Sequence, residues 1–309
     1  MMRIVFMGNP AFAITTLEAI LDSTHELIAV VSNPPKPIGR GQRLLHTAVG
    51  SYAVEHKLNF IAIDDVNSDT LITDLTTLNP DIIVVVAYKI LPDSVINIPP
   101  YGAINLHASL LPRYRGAAPI EWALMNGERV TGVSIFQIAS KVDTGAILKQ
   151  KEIPILPDDN YFSMSTKLCE IGASMIIDTL NELESGTAVV KIQDSSQASH
   201  APKISKNITV IDWFWPAEKI HNWVRGLAPI PGMITIVKGK QLRIYKTSIR
   251  EKPVKNRPGT VVFKSKSELQ VSTGKGALAL IEIQLEGKKR MPIELFLRGF
   301  PIEEGDVLG

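Results

Sequence analysis

Asn105 and His107 stand two residues apart in "GAINLH" (102–107), and Asp143 stands further on in the turn-like "KVDTG" (141–145). On a strand, residues two apart face the same side, so Asn105 and His107 project together with Leu106 opposed. An amide N–H and an imidazolium N–H aimed at one point can hold an oxygen on which negative charge develops, commonly worth a few kcal/mol per donor. A carboxylate at Asp143, brought beside the ring, would orient it and stabilise positive charge on it. The plainer alternative is a strand-end histidine satisfied by backbone, with an asparagine capping the turn. The pairing of the two residues, the "SLLP" that follows (109–112) and the downstream Asp143 favour chemistry instead. No protein nucleophile accompanies them: there is no G-x-S-x-G elbow, and the single cysteine, Cys169, lies in a helical pattern and reads as a small buried hydrophobe. The residues therefore point to direct transfer of an acyl-type group between two bound molecules, with Asp143 or His107 taking the proton of an attacking amine.

The elements that must position these groups follow from the hydrophobic pattern. "RIVFM" (3–7), "LIAVVS" (27–32), "NFIAI" (59–63), "DIIVVVAY" (81–88) and "GAINLH" are strand-like runs. Helical patterns near 12–21, 45–57 and 68–78 separate the first four, which predicts βαβ units around a parallel sheet. Right-handed crossovers place the carboxyl ends of the strands along one edge, where ligands bind. "GVSIFQI" (132–138) and "AILKQKEIPI" (146–155) predict an antiparallel addition, and 161–184 a long amphipathic helix. The polar stretch 185–207 predicts a linker. Beyond it, short alternating runs with Gly-Lys turns predict a small barrel of OB type. The expected fold is α/β: a Rossmann-like domain with a mostly parallel sheet at 1–186, a linker at 187–205 and an OB-like β-barrel domain at 206–309.

Composition bounds the possible functions. With 45% hydrophobic and 21% charged residues, the chain is that of an ordinary globular protein, not a disordered one. Its longest apolar runs are strand-length, and the N-terminal "MMRIVFMG" is too short for a signal peptide, so the expected place is the cytosol. One cysteine excludes an internal disulfide and agrees with a reducing compartment. No histidine spacing suits a metal, and His25, His46, His56, His200 and His221 receive no role. Residues 1–199 carry 14 Lys and Arg against 21 Asp and Glu, and residues 200–309 carry 19 against 10, so a half of net −7 adjoins a third of net +9. That asymmetry suits a C-terminal part that meets a polyanion, or a merely solvated basic face.

"NLHASLLPRYRGAAPI" (105–120) with "VDTG" (142–145) resembles the signature of the folate-dependent formyltransferases, whose acceptors include glycinamide ribonucleotide, sugar nucleotides and methionyl-tRNA. The likeness extends through "FMGNPAF" (6–12), "NPPKPIGRGQR" (33–43) and "APKISK" with "IDW" (201–213), nearly the whole chain. It is strongest to the branch that formylates initiator methionyl-tRNA, with the sugar-nucleotide branch as the alternative. The resemblance implies that Asn105, His107 and Asp143 are the catalytic residues. It implies that Ser109, Leu110, Leu111 and Pro112 contact 10-formyltetrahydrofolate, largely through backbone, and that the loop of Tyr88 borders the pterin. It implies no metal and a monomer. Two departures stand out. "VVAYKILP" (85–92) is one residue shorter than the family's pattern and lacks its glycine, and Ala139 and Ser140 replace a more usual acidic residue and glycine.

Lys36, Arg40 and Arg43 in the proline- and glycine-bearing loop are suited to phosphates, and by the resemblance that loop enters the acceptor stem of the tRNA. In the C-terminal domain Lys238, Lys240, Arg243, Lys246, Arg250, Lys252, Lys255 and Arg257 form a basic run, about half of which could share one face. "STGKGA" (272–277) is expected to be a hairpin turn, not a phosphate loop, and "NIT" (207–209) lacks the secretory context of a glycosylation site. Trp213, Trp215 and Trp223 are expected to pack between domains.

Overall fold

The computed structural model describes residues 1–38, 41–250 and 255–309. The chain divides into two compact units: Met1–Pro119 with Val130–Pro154 and Ser165–Pro202, and Ile120–Arg129 with Ile155–Met164 and Lys203–Gly309. The polar segment up to Pro202 thus groups with the first unit.

In the first unit β1 (Arg3–Gly8), α1 (Ile14–Leu21), β2 (Glu26–Ser32), the hairpin β3 (Lys36–Ile38) and β4 (Arg43–Leu45), α2 (Ala48–Glu55), β5 (Phe60–Ala62), α3 (Asp69–Leu78), β6 (Ile82–Val86), the short α4 (Asp93–Ile96) and β7 (Ala103–His107) follow in order. After α5 (Pro119–Met125) come β8 (Val130–Gln137), β9 (Ile147–Pro154) and the long α6 (Tyr161–Ser185). The sheet runs β5-β2-β1-β6-β7-β8-β9. The first five strands are parallel and the last two antiparallel, as the patterns predict. The order reverses between β1 and β6, the place where open α/β sheets form their binding crevice. The all-apolar β6, "IIVVV", is buried along its whole length, which is what a central parallel strand covered on both faces requires. Helix starts are capped where the sequence supplies a hydroxyl: Thr47 accepts from the Gly50 amide and Ser68 from the Leu71 amide. Asn79, in the left-handed region at φ 47°, ends α3 before Pro80.

The sheet's layering bears directly on β7. Its Leu106 packs against α6 at Gly172, where an added Cβ would fall 2.4 Å from the leucine side chain. The helix is therefore close beneath the strand, and Asn105 and His107 face the opposite side.

The second unit holds α7 (Ala217–Leu227), the strands β10 (Met233–Val237), β11 (Lys240–Arg250), β12 (Val261–Lys264), β13 (Leu269–Ser272), β14 (Ala277–Leu285) and β15 (Met291–Pro292), and α8 (Ile293–Gly299). Its antiparallel sheet runs β10-β11-β14-β13-β12, with β15 on β14. Lys238 and Gly239, both at positive φ, make the primed two-residue turn that joins β10 to β11. Val307 and Leu308 bridge Thr260 and Val237, so the chain's last residues tie the two edges of the sheet together as an OB-like barrel. Trp213 lies in this core and donates to the Thr235 hydroxyl at 3.0 Å. Trp215 and Trp223 stack edge to face at 4.8 Å, with the Lys219 ammonium 3.7 Å over Trp215. These tryptophans pack within the second unit. "STGKGA" is a hairpin turn between β13 and β14, as expected. Among the described residues no helix is long and apolar enough to cross a membrane.

His221 on α7 is half-buried, its Nδ1 2.9 Å from the Thr247 hydroxyl of β11. Burial, then the nearby Arg225, pushes its pKa down to about 4, against a smaller opposing pull from Asp158. The folded value lies below the ordinary one of about 6.5, so the unfolded chain binds the extra proton between those limits. The stability held by the neutral ring is complete above about pH 6.5 and is lost as pH falls toward 4. The melting temperature should therefore drop over this window, and less steeply in His221→Gln; equal slopes in the two proteins would remove His221 from the account.

Candidate active site

His107 closes β7 and is 5% exposed. Its Nε2 lies 2.8 Å from the carbonyl oxygen of Tyr114, which can only accept, so Nε2 carries a proton. The other nitrogen, Nδ1, faces the Asp143 carboxylate at 3.8 Å, beyond hydrogen-bond range. The ring stands edge-on to Phe136 at 6.4 Å, which fixes its plane. Asn105 shares the face, and its buried Oδ1 has no hydrogen-bond partner. A buried polar atom left without a partner costs about 1–3 kcal/mol, so Asn105 Oδ1 is available to accept from a bound molecule. The sequence-based trio thus gathers at the carboxyl edge of the sheet: Asn105 and His107 from one strand, Asp143 from the connection between β8 and β9.

Asp143 is held by its surroundings. It sits in the left-handed region at φ 54°, and its Oδ2 accepts from the Gly116 amide at 2.7 Å. The Thr144 hydroxyl donates to the Lys141 carbonyl at 2.9 Å. The Gln193 amide donates to the carbonyls of Asp143 and Gly145 at 2.9 and 2.7 Å. Gly145 is required sterically, since a Cβ there would lie 1.6 Å from the Gln137 carbonyl oxygen. Ser140 donates to the Asp93 carboxylate of α4 at 2.9 Å.

The segment after His107 is pinned as firmly. Ser134 donates from its hydroxyl to the Ser109 carbonyl at 2.6 Å and accepts from the Leu111 amide at 3.0 Å. Gln150 donates to the Leu111 carbonyl at 2.8 Å, and the Arg113 amide donates to the Leu110 carbonyl at 3.1 Å. The Ser109 hydroxyl donates to the Arg113 carbonyl at 2.7 Å. Several of the backbone groups expected to meet a ligand are therefore occupied internally. Leu111 itself is buried with Phe136 and Ile147, while Leu110 and Pro112 are half-buried. Ser134, Gln150 and Gln193 escape sequence reasoning because each acts across a large chain separation through a side chain of ordinary type.

The family description "Formyl transferase" matches residues 2–180, and "Formyl transferase, C-terminal domain" matches 203–301. The chain belongs to the formyl transferase family. It is 41% identical over 305 residues to a methionyl-tRNA formyltransferase of Agathobacter rectalis, covering 98% of each chain. It is likewise 41% identical over 309 residues to one from Caldanaerobacter subterraneus subsp. tengcongensis, covering 99% of this chain and 100% of the other. In fold it is similar to the crystal structure of an N-formyltransferase from Helicobacter canadensis, with a TM-score of 0.68 at 17% identity over 94% of this chain and 100% of that one.

In this formyl transferase the loop after β6 carries Tyr88, whose hydroxyl donates to the Ile63 carbonyl at 3.4 Å while its ring packs on the core under β5 and β6. Burial, with a smaller push from Asp64, raises the phenol's pKa to about 12. Lys89, in the same loop, pairs with Asp64 at 3.0 Å, and Lys36 reaches the same carboxylate at 3.5 Å. The hydrogen bond from Lys89, then the charge of Lys36, lowers the pKa of Asp64. Arg43 is exposed on the β3–β4 hairpin, and Arg40 lies outside the described residues. In the second unit Lys238 is bound to Asp306 at 2.8 Å and Arg243 donates to the Pro231 carbonyl at 2.8 Å, whereas Lys240 is exposed. Lys252 lies outside the described residues.

Gly145→Ala tests the turn. The clash with the Gln137 carbonyl should lower the free energy of unfolding by about 3 kcal/mol, measured by urea denaturation; a loss below about 1 kcal/mol would show that the turn relaxes freely.

Proposed function

We propose that this chain moves the formyl group of 10-formyltetrahydrofolate to the amino group of initiator methionyl-tRNA, giving formylmethionyl-tRNA for translation initiation. The observation that carries the reading is the approach of His107 Nδ1 to the Asp143 carboxylate at the carboxyl edge of the sheet, on the face that β7 shares with Asn105. The relatives named above, similar over the full chain, support the acceptor. A cytosolic site of action suits a product used by the ribosome.

The chemistry follows from the geometry. The methionyl amine attacks the formyl carbon, and negative charge develops on the formyl oxygen. Asn105, through its N–H, and His107, through Nδ1–H when protonated, stabilise that oxyanion, while the Tyr114 carbonyl keeps the ring in place by holding Nε2–H. The carboxylate of Asp143 offsets the imidazolium charge. The proton released by the amine passes to the Asp143 carboxylate, since the imidazolium carries protons on both nitrogens, and a proton from this pair goes to the folate nitrogen as the carbon–nitrogen bond to tetrahydrofolate breaks. The loop anchored by Tyr88 and the segment Ser109, Leu110, Leu111 and Pro112 border the folate side, with shape contributing more than backbone hydrogen bonds because so many of those are internal.

On the tRNA side, Lys36 and Arg43 at the hairpin and Arg40 in the sequence between them, with Lys238, Lys240 and Arg243 on the domain 206–309, supply cationic contacts for phosphates. Lys36 can leave Asp64 cheaply, since an exposed ion pair contributes about 0–1 kcal/mol. Lys240 is the readiest of the three barrel residues, because Lys238 and Arg243 already hold internal partners.

The test is formyl transfer to charged initiator tRNA, with charged elongator methionine tRNA and a UDP-amino sugar as parallel acceptors. Transfer to the initiator alone is expected, and transfer only to the sugar would overturn the tRNA assignment. His107→Ala should lower kcat by about 100-fold or more with tRNA affinity retained; a drop below tenfold would remove His107 from the chemistry.

A further inference from the structure

We infer that Gln193, oriented by Arg115, is a positioning residue that holds the Asp143 turn in its left-handed form and thereby sets the carboxylate against His107. The inference rests on the reaction proposed above.

Gln193 lies in the polar stretch after α6, is 8% exposed, and makes four hydrogen bonds with its side chain. Its orientation is decided by Arg115, an equally buried guanidinium that can only donate. Arg115 Nε and Nη2 lie 3.2 and 2.7 Å from Gln193 Oε1, and Nη2 lies 3.5 Å from the Ser195 hydroxyl. Among the described residues Arg115 has no ion-pair partner. The buried charge therefore depends on the glutamine oxygen, and a charge-assisted bond of this kind fixes which end of the amide faces it. The NH2 end must then point the other way, where it donates to both the Asp143 and Gly145 carbonyls. One amide thus grips the backbone on either side of Thr144.

That grip falls where the backbone most needs it. A left-handed aspartate is uncommon, and it persists where its surroundings over-determine it. The glutamine is itself carried on a fastened strap. Lys191 and Ile147 exchange two backbone hydrogen bonds of 2.8 Å each at the start of β9. The Arg115 amide donates to the Ser199 carbonyl at 2.9 Å, and the Ala201 amide to the Arg115 carbonyl at 2.7 Å. The same three-residue stretch therefore serves the site three ways: Tyr114 holds His107, Arg115 orients Gln193, and Gly116 holds the Asp143 carboxylate.

A simpler role for Gln193 is to satisfy Arg115 and nothing more. Gln193→Glu separates the two. It keeps an acceptor, now charged, for Arg115, preserves volume, and removes both donors to the turn. A mere partner of Arg115 would tolerate this change; a residue positioning Asp143 would not.

The experiment uses full-length protein, with kcat and KM for 10-formyltetrahydrofolate and charged initiator tRNA, and hydrogen–deuterium exchange of a peptide covering 113–118. For Gln193→Glu the expected result is a melting temperature close to wild type, kcat lower by about tenfold or more, both KM values within about threefold, and faster exchange at Gly116. Wild-type kcat and wild-type exchange in this variant would overturn the proposal. Should Gln193→Glu not fold, Gln193→Met removes the donors together with the acceptor, and wild-type kcat with wild-type exchange at Gly116 in that variant would likewise overturn the proposal. If the wild-type protein transfers no formyl group, the reaction proposed above fails, while exchange at Gly116 still decides whether Gln193 holds the turn.

Discussion

The active edge of this formyl transferase depends on a left-handed residue that is not glycine. Placing Asp143 at φ 54° costs about 1 kcal/mol or more relative to ordinary backbone. Within "KVDTG" the Thr144 hydroxyl bonds the Lys141 carbonyl and Gly145 leaves room for the Gln137 carbonyl; the remaining restraint comes from the Gly116 amide and Gln193. Each fixes the carboxylate relative to β7, and β7 fixes Asn105 and His107 relative to each other by strand periodicity alone. A trio assembled from one rigid strand and one remote turn needs this second set of contacts, because the strand can position only what it carries.

The division explains what could and could not be seen in the sequence. Asn105 and His107 were legible because a strand-end pair of polar residues with period two is rare in a core strand and has few structural uses. Asp143 was legible as a carboxylate before Thr-Gly between two β runs. The parallel sheet and its antiparallel extension followed from alternating apolar runs and helical patterns. Gln193, Ser134 and Gln150 carried no such sign. Their effect lies in which backbone groups they reach, across separations of 50, 25 and 39 residues, and no local pattern encodes that. The stretch around Gln193 is polar because it satisfies backbone and a buried arginine, yet polarity without periodicity suggests only a linker. Among regular elements, the hairpin β3–β4, the helices α4, α5, α7 and α8 and the short strand β15 were missed. α7 illustrates why: its buried Ala217, Ile220, Val224 and Leu227 follow helical spacing, but Glu218, Lys219, His221 and Asn222 between them dilute the apolar signal.

Charge in the second unit is less available than composition implies. Lys238 pairs with Asp306, Arg250 with Glu268, Lys264 with Glu303 and Arg290 with Glu282. These pairs leave the net balance unchanged but fix individual side chains inside the fold. Positive potential then comes most directly from cations outside such pairs, Lys240, Lys246, Lys255 and Arg257 among them. A field of this sort attracts a polyanion over a distance comparable to the Debye length, about 8–10 Å at ordinary ionic strength, without specifying its sequence. Discrimination between acceptors therefore has to arise from shape and from contacts nearer the reacting amine.

The loop after β6 shows how a strained backbone is accommodated. Ala87 adopts a positive φ of 50°, a conformation that glycine takes without penalty and alanine does not. Compensation lies in the next two residues. Tyr88 buries its ring in the core beneath β5 and β6, and Lys89 closes the loop onto Asp64 just beyond β5. Asp64 also holds Lys36 at the base of the β3–β4 hairpin, so the loop and the hairpin share one carboxylate. Because that carboxylate is exposed, the shared pair restrains the loop only modestly. The buried tyrosine is the stronger anchor. The loop is thus stabilised mainly by apolar burial behind it.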